Sequence, residues 1–541
     1  MRNKENDKVG FTEKFSTGID RFVGIFSPKT EAKRKYFRHI SKSMFGSYNG
    51  AKSDRFRSSW GPGGGSADQD LLSDLPKLRE RSRDLIRNDA IASGGIETII
   101  TNIIGSGIKV QSRVDHESLK ISEDYASKLQ KQFEKIWNRW VPHADAGGRM
   151  DFYEIEELEE RSRFANGESI LLPMRIKNKN RPYDLAIQSI ESDRLSTPGG
   201  LYGSKDIRSG IKIGKFGEPL EYWIKKTHPG DFIWGKGYNN SPEDYIKYKA
   251  TDGFGVKNIF HLYHVLRSGQ TRGEPFFAPV INLFKDRYEY MEAELIAARM
   301  AACIGLIIKK DNAMGAAISR KSRTDSGGKR IEDMSPGMVE YLEPGEEFGS
   351  FVPNRPGGTF PAFMERILRD ISSGLNIPYE ILSKDFSKSN YSNTRAALIE
   401  ARRFFKKQQR FVADKLGQPI FELLLEEAYL KGELDILDFY QNKWLYVKAK
   451  WISPGWQWVD PQKEVKAAVT AVDNNQSTLA AEAASHGDDW EDNLEQRARE
   501  KKKIKELEEK NGITLTTDRK QESITGAVAD GVAEGTSSVA E

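Results

Sequence analysis

Two differently patterned parts of the chain meet at Ser268-Gly-Gln-Thr-Arg-Gly-Glu-Pro-Phe-Phe-Ala-Pro-Val280. Gly269 and Gly273 favour turns, and Pro275 and Pro279 fix the backbone that approaches a helix. From Pro279 onward, apolar residues recur at four- and three-residue steps. They are Val280, Phe284, Tyr288, Met291, Leu295 and Ala298. This spacing predicts one long helix, over residues 279–309, that is apolar along one face.

The residues upstream of this segment combine helical and strand patterns. Over residues 75–103 apolar side chains recur at helical intervals, with a break expected at Gly94-Gly95 that separates two helices. Short apolar runs bounded by Gly and Pro follow over residues 168–264, and these predict strands. Residues 76–278 are therefore expected to form a mixed α+β body.

Downstream, the chain alternates between glycine-rich segments and helical patterns. Residues 310–360 are polar and rich in Gly and Pro, which favours a small β-rich excursion. Helical spacing returns over 361–382, and a second long helix with its following segment is predicted over 394–460. Between them, residues 383–393 read Ser-Lys-Asp-Phe-Ser-Lys-Ser-Asn-Tyr-Ser-Asn, a polar sequence typical of a loop.

The two ends of the chain differ in composition from the middle. Residues 1–75 are basic and contain Gly61-Pro-Gly-Gly-Gly-Ser66 near their end, which predicts a flexible arm and linker. Residues 461–512 are first rich in Ala and then densely charged with alternating signs, as in an exposed helix. Residues 513–541 are rich in Ser, Thr, Gly and Glu, a composition typical of disorder.

The composition excludes several classes of protein. The 541 residues carry a net charge of +4, far from the strongly basic balance of a protein that grips nucleic acid over its whole surface. Any contact with DNA should therefore be local. Cys303 is the single cysteine, so neither an intramolecular disulfide nor a cysteine-based zinc site is expected. The most apolar run, Met300 to Ile308, is well short of the roughly 20 residues that a membrane-spanning helix needs, so no membrane partner is expected.

The sequence contains none of the commonest catalytic motifs. The nearest approach to a phosphate-binding loop is Gly46-Ser-Tyr-Asn-Gly-Ala-Lys-Ser53, where Ala51 takes the place of the glycine before the lysine. His261 and His264 are three residues apart, as two metal ligands could be, but the segment has the pattern of a strand and a structural role is favoured. We therefore expect no enzymatic activity, no cofactor and no metal site.

A series of short motifs is informative because of its order along the chain. The most specific is Ser268–Pro275 with Ala278–Val280. The others are Leu78–Asn88, Ile104–Val110, Ile190–Leu195, His261–His264, Arg366–Ile371, Gly374–Glu380, Asn390–Ala396 and Pro454–Pro461 with Lys463 and Glu464. Together they resemble the portal proteins of the lambda family of tailed bacteriophages, over roughly residues 75 to 500.

This resemblance implies a phage portal fold of the α+β class, in a closed ring of twelve copies that packages and later ejects double-stranded DNA. It implies long stem and wing helices, a mixed α/β wing, a small β-rich clip and a helical crown. In this sequence the parts would be a wing at 76–278 and 394–460, stem helices at 279–309 and 361–382, a clip at 310–360, a tunnel loop at 383–393 and a crown at 461–512. Cyclic rings need head-to-tail contacts, so each subunit must have two different contact faces.

The resemblance also implies partners and a location. A terminase motor would dock on the clip, head-tail connector proteins would replace it later, and major capsid and scaffold proteins would surround the ring. The DNA would be bound without sequence specificity. The expected location is the portal vertex of the virion, with the host cytoplasm during assembly. Two alternatives remain open: a ring-forming capsid adaptor or scaffold protein without DNA passage, and a packaging enzyme whose site is too dispersed to see.

Four residues of the predicted tunnel loop are candidates for DNA contact. Lys384 and Lys388 would form rings of positive charge around the DNA, with Asn390 and Tyr391 as secondary polar contacts, and none should read bases. Because each neutralised phosphate adds affinity, a channel in which DNA slides should present few, separated cations. Lysines in a polar loop are usually just exposed, so a solvated loop without DNA contact is the alternative interpretation.

Overall fold

The structure is a computed structural model that describes residues 63–231, 240–302, 306–310, 346–350, 358–456 and 461–512. Contacts between residues divide the chain into two units, Met1–Ser66 and Ala67–Glu541, and every element named below belongs to the second unit. The predicted disordered tail and most of the predicted N-terminal arm lie outside the described residues.

The regular structure is mostly helical. The helices are α1 (Ala67–Leu71), α2 (Leu75–Asn88), α3 (Ala90–Ile103), α4 (His116–Leu119), α5 (Glu123–Trp140), α6 (Phe152–Asn166), α7 (Ile281–Ala302), α8 (Phe360–Gly374), α9 (Tyr379–Ser383), α10 (Tyr391–Val412), α11 (Gln418–Leu430), α12 (Lys443–Tyr446), α13 (Pro461–Asp473), α14 (Leu479–Ser485) and α15 (Trp490–Asn511). A π-helical stretch at Ala413–Gly417 joins α10 to α11. None of the described helices is long and apolar enough to cross a membrane.

The strands of the described residues pair antiparallel in four small sheets. They are β1 (Lys109–Ser112), β2 (Glu168–Arg175), β3 (Leu185–Ile190), β4 (Ile207–Arg208), β5 (Ile211–Ile213), β6 (Pro219–Lys225), β7 (Tyr245–Lys249), β8 (Phe260–Tyr263), β9 (Leu306–Lys310), β10 (Glu346–Ser350) and β11 (Ala449–Ile452). The sheet orders are β1-β11, β9-β10, β3-β2-β8 and β4-β5-β6-β7. Helices and antiparallel strands together confirm the α+β class predicted from the sequence.

Strand β2 separates two hydrophobic cores. Successive side chains of a strand point to opposite faces. Leu171 accordingly joins the larger core, which is built mainly by the helices, whereas Ile170 and Leu172 join a smaller core with Ile211 and Tyr222 of the four-stranded sheet. Burial on both faces explains why this part of β2 is a continuous apolar run and does not alternate with polar residues.

The break between the first two long helices lies at Asp89, so the predicted break at Gly94-Gly95 is wrong. The Asp89 side chain accepts hydrogen bonds from the backbone N–H groups of Ile91 and Ala92 and caps α3. The two glycines lie inside α3, where a Cβ on Gly95 would come within 2.8 Å of Leu382 Cδ1. Glycine at this position therefore allows close packing between helices.

Helix α7 is shorter and less buried than its sequence pattern predicts. A 3₁₀ turn at Ala278–Val280 precedes it, and strand β9 begins at Leu306, inside the range predicted as helix. Phe284 is fully buried, but Tyr288, Met291 and Leu295, which continue the predicted apolar stripe, are 47%, 41% and 51% exposed. Among the described residues, therefore, nothing covers the part of this stripe from Tyr288 to Leu295.

Three other predictions concern segments around α7 and α10. Strands β9 and β10 pair with each other at either end of the predicted β-rich excursion, and residues 311–345 and 351–357 lie outside the described residues. The loop between α9 and α10 comprises residues 384–390, so it is shorter than the predicted 383–393: Ser383 ends α9, and Tyr391 to Asn393 form the first turn of α10. The predicted charged helix near the C-terminus is α15, which is exposed along most of its length.

Candidate DNA-channel loop and buried charge cluster

A buried carboxylate gathers four of the sequence motifs into one charge cluster. Glu168, the first residue of β2, is fully buried and accepts hydrogen bonds from Arg79 Nη2 at 2.7 Å and from Arg272 Nε at 2.9 Å. His261 Nε2 lies 3.0 Å from the other carboxylate oxygen, and the backbone N–H of Gly273 also donates at 3.0 Å. We call Glu168, Arg79, Arg272 and His261 the Glu168 cluster.

Two glycines allow the chain to approach the cluster closely. Gly167 ends α6 with a φ of 88°, in the left-handed region that favours glycine. A Cβ on Gly167 would lie 2.5 Å from the carbonyl oxygen of Gly273, and a Cβ on Gly273 would lie 1.9 Å from the carbonyl oxygen of Gly167. Only glycine fits at both positions, so the segment that precedes α7 lies directly against the start of β2.

The arginines of the cluster extend it to neighbouring segments. Arg272 Nη1 donates to the carbonyl oxygen of Leu195 at 2.9 Å, and Arg272 Nη2 donates to that of Ser192 at 3.1 Å. Arg79 Nε donates to the carbonyl oxygen of Asn166 at 3.0 Å, at the end of α6. The motifs that contain Arg79, Ser192, His261 and Arg272 therefore meet at a single point, although they are spread over almost two hundred residues.

The charge state of the cluster follows from burial and from its neighbours. Burial by itself raises the pKa of the Glu168 carboxyl, but the charges of Arg272 and Arg79 outweigh it and hold the pKa well below its usual range. Burial is also the largest effect on His261, and it lowers the pKa of the imidazole despite the nearby carboxylate. A neutral histidine, one carboxylate and two guanidiniums leave one positive charge, and Asp193, 3.6 Å from Arg79, offsets it.

Sequence reasoning missed Glu168. Its only local signal is an acidic residue that opens the apolar run Ile170-Leu-Leu172, and such a residue is more often exposed. For His261 and His264 a structural role is predicted, and in the structure His261 bonds to Glu168 while His264 Nε2 lies 2.8 Å from Gln408 Oε1. The two rings therefore have different partners.

One further group in the described residues has the side chains of a metal site. Glu191, Asp193 and His228 bring their ligand atoms within 4.8 Å of one another. Arg83 lies between the two carboxylates, ion-paired to Asp193 and 3.6 Å from Glu191. Two guanidiniums, those of Arg79 and Arg83, thus lie beside the two carboxylates, so the group is an ion-pair network that extends the Glu168 cluster towards the surface.

The candidate channel loop is exposed and is held at both ends by helix caps. Lys384 ends α9 with a φ of 57°, and its side chain is exposed. Its Nζ lies 3.9 Å from the position of a Cβ on Gly94, and no acceptor among the described residues lies within hydrogen-bonding distance of it. Asn390 caps α10, with its Oδ1 accepting from the Asn393 backbone N–H at 2.9 Å. The Asn390 side chain therefore has a structural role.

The second lysine of the loop is paired within the chain. Lys388 Nζ lies 2.8 Å from Glu365 Oε2 of α8, and Arg369 lies 2.7 Å from the other oxygen of the same carboxylate. The hydrogen bond from Lys388 lowers the pKa of Glu365, and the same contact raises the pKa of Lys388. The charge of Lys388 is thus partly balanced, whereas that of Lys384 is not.

The aromatic residues of the loop are both exposed. Tyr391 is 49% exposed and lies 5.9 Å from Lys463 Nζ, and Phe386, which the sequence analysis did not select, is 44% exposed. The four predicted residues thus contact different elements: Lys384 lies near α3, Lys388 near α8, Asn390 caps its own helix and Tyr391 faces α13. They line an exposed surface and do not converge on one site.

Comparison with known proteins identifies the family. The model of the family described as "Phage portal protein, lambda family" matches residues 53–409, which include the Glu168 cluster, α7 and the loop. The chain belongs to this family. The resemblance read from the sequence motifs is therefore confirmed, and the α+β architecture is that of a phage portal protein.

Named relatives in three phages agree with the assignment. The portal protein of Escherichia phage N15 is 24% identical over 477 residues, which cover 82% of this chain and 87% of the relative. Portal protein B of Escherichia phage lambda is 24% identical over 469 residues, covering 82% and 86%. The probable portal protein of Halomonas phage phiHAP-1 is 26% identical over 487 residues, covering 89% and 90%. The similarity therefore extends over nearly the whole length of each relative.

Solved structures of gene transfer agents are also similar to this chain. A chain of the native gene transfer agent virion is 12% identical, with a TM-score of 0.37, and the match covers 72% of this portal chain and 95% of that chain. A chain in the neck of the native particle, computed with C12 symmetry, is 11% identical, with a TM-score of 0.40, and the match covers 76% and 92%.

Proposed function

We propose that this chain is the portal subunit of a phage capsid, forming the ring at one vertex through which double-stranded DNA is packaged and later ejected. The observation that carries the proposal is the family match over residues 53–409. The ring is proposed to contain twelve copies, and it belongs to the portal vertex of the virion after assembly in the host cytoplasm.

The parts of the portal are assigned by the order of the elements. Helices α7 and α8 are the two stem helices, and the segment that includes β9 and β10 between them is the clip, on which a terminase motor and later the head-tail connector proteins dock. The strands before α7 and helix α10 form the wing, and α13 to α15 form the crown. Support comes from the pairing of β9 with β10, which brings the ends of the clip together beside the stem.

The tunnel-loop assignment rests on exposure and charge. The loop between α9 and α10 exposes Lys384 without an acceptor among the described residues, while Lys388 shares Glu365 with Arg369. A ring of such loops presents one unbalanced cation per subunit to the DNA. Few and separated cations suit translocation, because each tight phosphate contact adds affinity that must be overcome at every step.

The energy for translocation is proposed to come from the terminase, since the subunit itself is a conduit without enzymatic activity. Major capsid and scaffold proteins are its other proposed partners. The contacts of the Glu168 cluster agree with a mechanical role, because a carboxylate saturated by two guanidiniums and an imidazole fastens chain segments together.

Electron microscopy and sedimentation of the purified full-length chain test the proposal. We expect high-order rings with a central hole wide enough for duplex DNA, and no free monomer at micromolar concentration, because obligate interfaces bury large apolar areas. A stable folded monomer would contradict the proposal. A closed disc without a hole would favour a capsid adaptor, and ATP or DNA hydrolysis by the purified chain would favour a packaging enzyme.

A further inference from the structure

Part of the surface of α7 is left exposed by the residues that the structure describes. Near the start of α7 Phe284 is fully buried, and Tyr290 packs against the rings of Phe360 and Phe363 of α8. Further along the helix four large apolar side chains are each at least 41% exposed. They are Tyr288, Met291, Leu295 and Ile296. Exposed apolar side chains in consecutive turns of one helix usually mark a contact with another molecule.

Acidic side chains accompany these apolar residues. Between residues 285 and 296 the exposed charged side chains are Lys285, Asp286, Glu289 and Glu292, three acidic and one basic. Lys285 is already bonded to Glu289, with 3.1 Å between Nζ and Oε1. We call this exposed, acidic and apolar surface of residues 285–296 the α7 outer face.

Helix α10 has an exposed face of the opposite charge. Its inner side buries Ala401, Phe405 and Gln408. Its outer side exposes five basic side chains around one apolar side chain, Ile399, which is 44% exposed. The basic residues are Arg395, Arg403, Lys406, Lys407 and Arg410. We call these six residues the α10 basic stripe.

Nearby acidic residues balance only part of the stripe. Arg403 bonds to Glu400 at 3.0 Å and Arg410 bonds to Asp414 at 3.3 Å. Lys406 Nζ lies 5.8 Å from the ring of Trp456. Arg395 and Lys407 have no acidic partner among the described residues, so the stripe retains a net positive charge.

We propose that the α7 outer face of one subunit docks against the α10 basic stripe of a second copy of the chain, and that this contact is repeated around the ring. The inference rests on the proposed ring, which needs two different faces on each subunit. Both helices contain 22 residues, so each is about 33 Å long and the two can lie along each other over several turns. Met291 and Leu295 then meet Ile399, with acidic and basic side chains on either side.

A second copy suits the two faces better than DNA does. A dense row of cations against phosphate would hold DNA tightly, which a channel for sliding DNA must avoid. The α7 outer face would repel DNA because of its acidic residues. In a contact between subunits, by contrast, the apolar residues supply affinity and the opposite charges set orientation and exclude wrong pairings.

Charge reversal of each face, alone and together, tests the pairing in the full-length chain. Arg403→Glu with Lys407→Glu places negative charge opposite the acidic face, and Glu289→Lys with Glu292→Lys places positive charge opposite the basic stripe. We expect each double variant to lose the ring species in sedimentation and electron microscopy. The chain that carries all four substitutions should recover rings, because the charges are again opposite.

A matched control uses another exposed helix. Lys501→Glu with Lys505→Glu on α15 has the same spacing and the same change in net charge as the α10 variant, and it should leave rings intact. Circular dichroism and the thermal midpoint should show that every variant is folded. A folded fourfold variant without rings would overturn the pairing.

Two further outcomes would also overturn the pairing. Rings in every variant would show that the subunits meet elsewhere, while the proposed portal function would stand if the wild-type chain forms rings. Intact rings with reduced binding of duplex DNA in the α10 variant would show that the stripe contacts DNA. Absence of rings in the wild-type chain would count against the portal proposal itself.

Discussion

Arg272 and Glu168 form a bidentate ion pair inside the fold, with Arg272 Nε 3.0 Å from Glu168 Oε2 and Arg272 Nη2 2.5 Å from Glu168 Oε1. Both side chains are at most 1% exposed. The pair joins the segment before α7 to the first residue of β2, 104 positions earlier in the chain. It therefore fixes the point from which helix α7 leaves the body.

Replacement of Arg272 by Ala should strongly destabilise the subunit. It leaves Glu168 buried with a weaker set of partners and removes the donors to the carbonyl groups of Ser192 and Leu195. Removing one partner of a buried pair typically costs about 3–5 kcal/mol of the free energy of unfolding. The thermal unfolding midpoint of the purified variant, compared with wild type, measures the effect.

The matched control for this prediction is Arg267→Ala. Arg267 immediately precedes the motif that contains Arg272 and forms an exposed ion pair with Asp70, and such pairs contribute about 0–1 kcal/mol. A midpoint for Arg272→Ala that is no lower than that of Arg267→Ala would show that the Glu168 cluster does not stabilise the fold.

Glu156 should make stability fall as pH rises. Burial raises its pKa to about 8, and its Oε2 accepts from the Ile108 backbone N–H at 3.0 Å. The folded chain therefore keeps the proton, while the unfolded chain loses it near the ordinary value of 4.5. The stability that this proton provides is complete below that value and is lost as pH rises towards about 8.

Glu156→Gln tests this pH dependence because glutamine resembles the protonated acid. The midpoint of the variant relative to wild type should be higher at about pH 8.5 than at about pH 5. Glu157→Gln serves as the control and should show no such difference, because this neighbour on α6 has a half-exposed side chain. Equal offsets for Glu156→Gln at both pH values would mean that this carboxyl is ionised in the folded chain.

Loss of the Lys384 side chain should reduce DNA packaging or retention more than loss of the Lys388 side chain. Replacing either residue by Ala removes a complete ring of cations if the loop lines the channel, but the Lys388 charge is already shared with Glu365. We expect both variants to assemble, and Lys384→Ala to shorten the packaged DNA or lower its retention more than Lys388→Ala. The difference should shrink at high ionic strength because salt screens phosphate contacts. Packaged DNA length and particle infectivity are the measurements.

Lys501→Ala on the charged helix α15 is the control for the loop variants. If both loop variants match it in every assay and at every salt concentration, the loop does not handle DNA. The residues that face the channel would then have to be sought on the stem helices.

Removal of the clip should abolish terminase binding without unfolding the ring. Lys310 of β9 and Glu346 of β10 are directly opposite in the antiparallel register, so Asn-Gly can replace residues 311–345 and close a two-residue hairpin. The shortened chain should form rings that no longer retain terminase in a pull-down. Rings of Lys384→Ala serve as the positive control for terminase binding. If the shortened chain binds terminase as tightly as wild type does, the clip assignment is wrong.

The sequence alone was enough for the features that depend on local pattern. The spacing of apolar residues located α10, and the polar composition of residues 383–393 located the loop before it. The ordered motifs identified the family, because they occur as short contiguous strings. Local rules were less reliable at helix ends: the break after α2 lies at Asp89, where a side-chain cap outweighs the low helix propensity of Gly94-Gly95.

Tertiary structure alone decided which charges are buried and which are free. Nothing local distinguishes Glu168 from an exposed acidic residue, since its partners Arg79, His261 and Arg272 are 89, 93 and 104 positions away. Nothing local indicates that Lys388 is paired either, because its partner Glu365 lies on α8. The apolar stripe of α7 is a further case, because its period predicts burial but the described residues leave Tyr288, Met291 and Leu295 exposed. Periodicity is a property of neighbouring residues, whereas burial and ion pairing depend on which distant segments pack together.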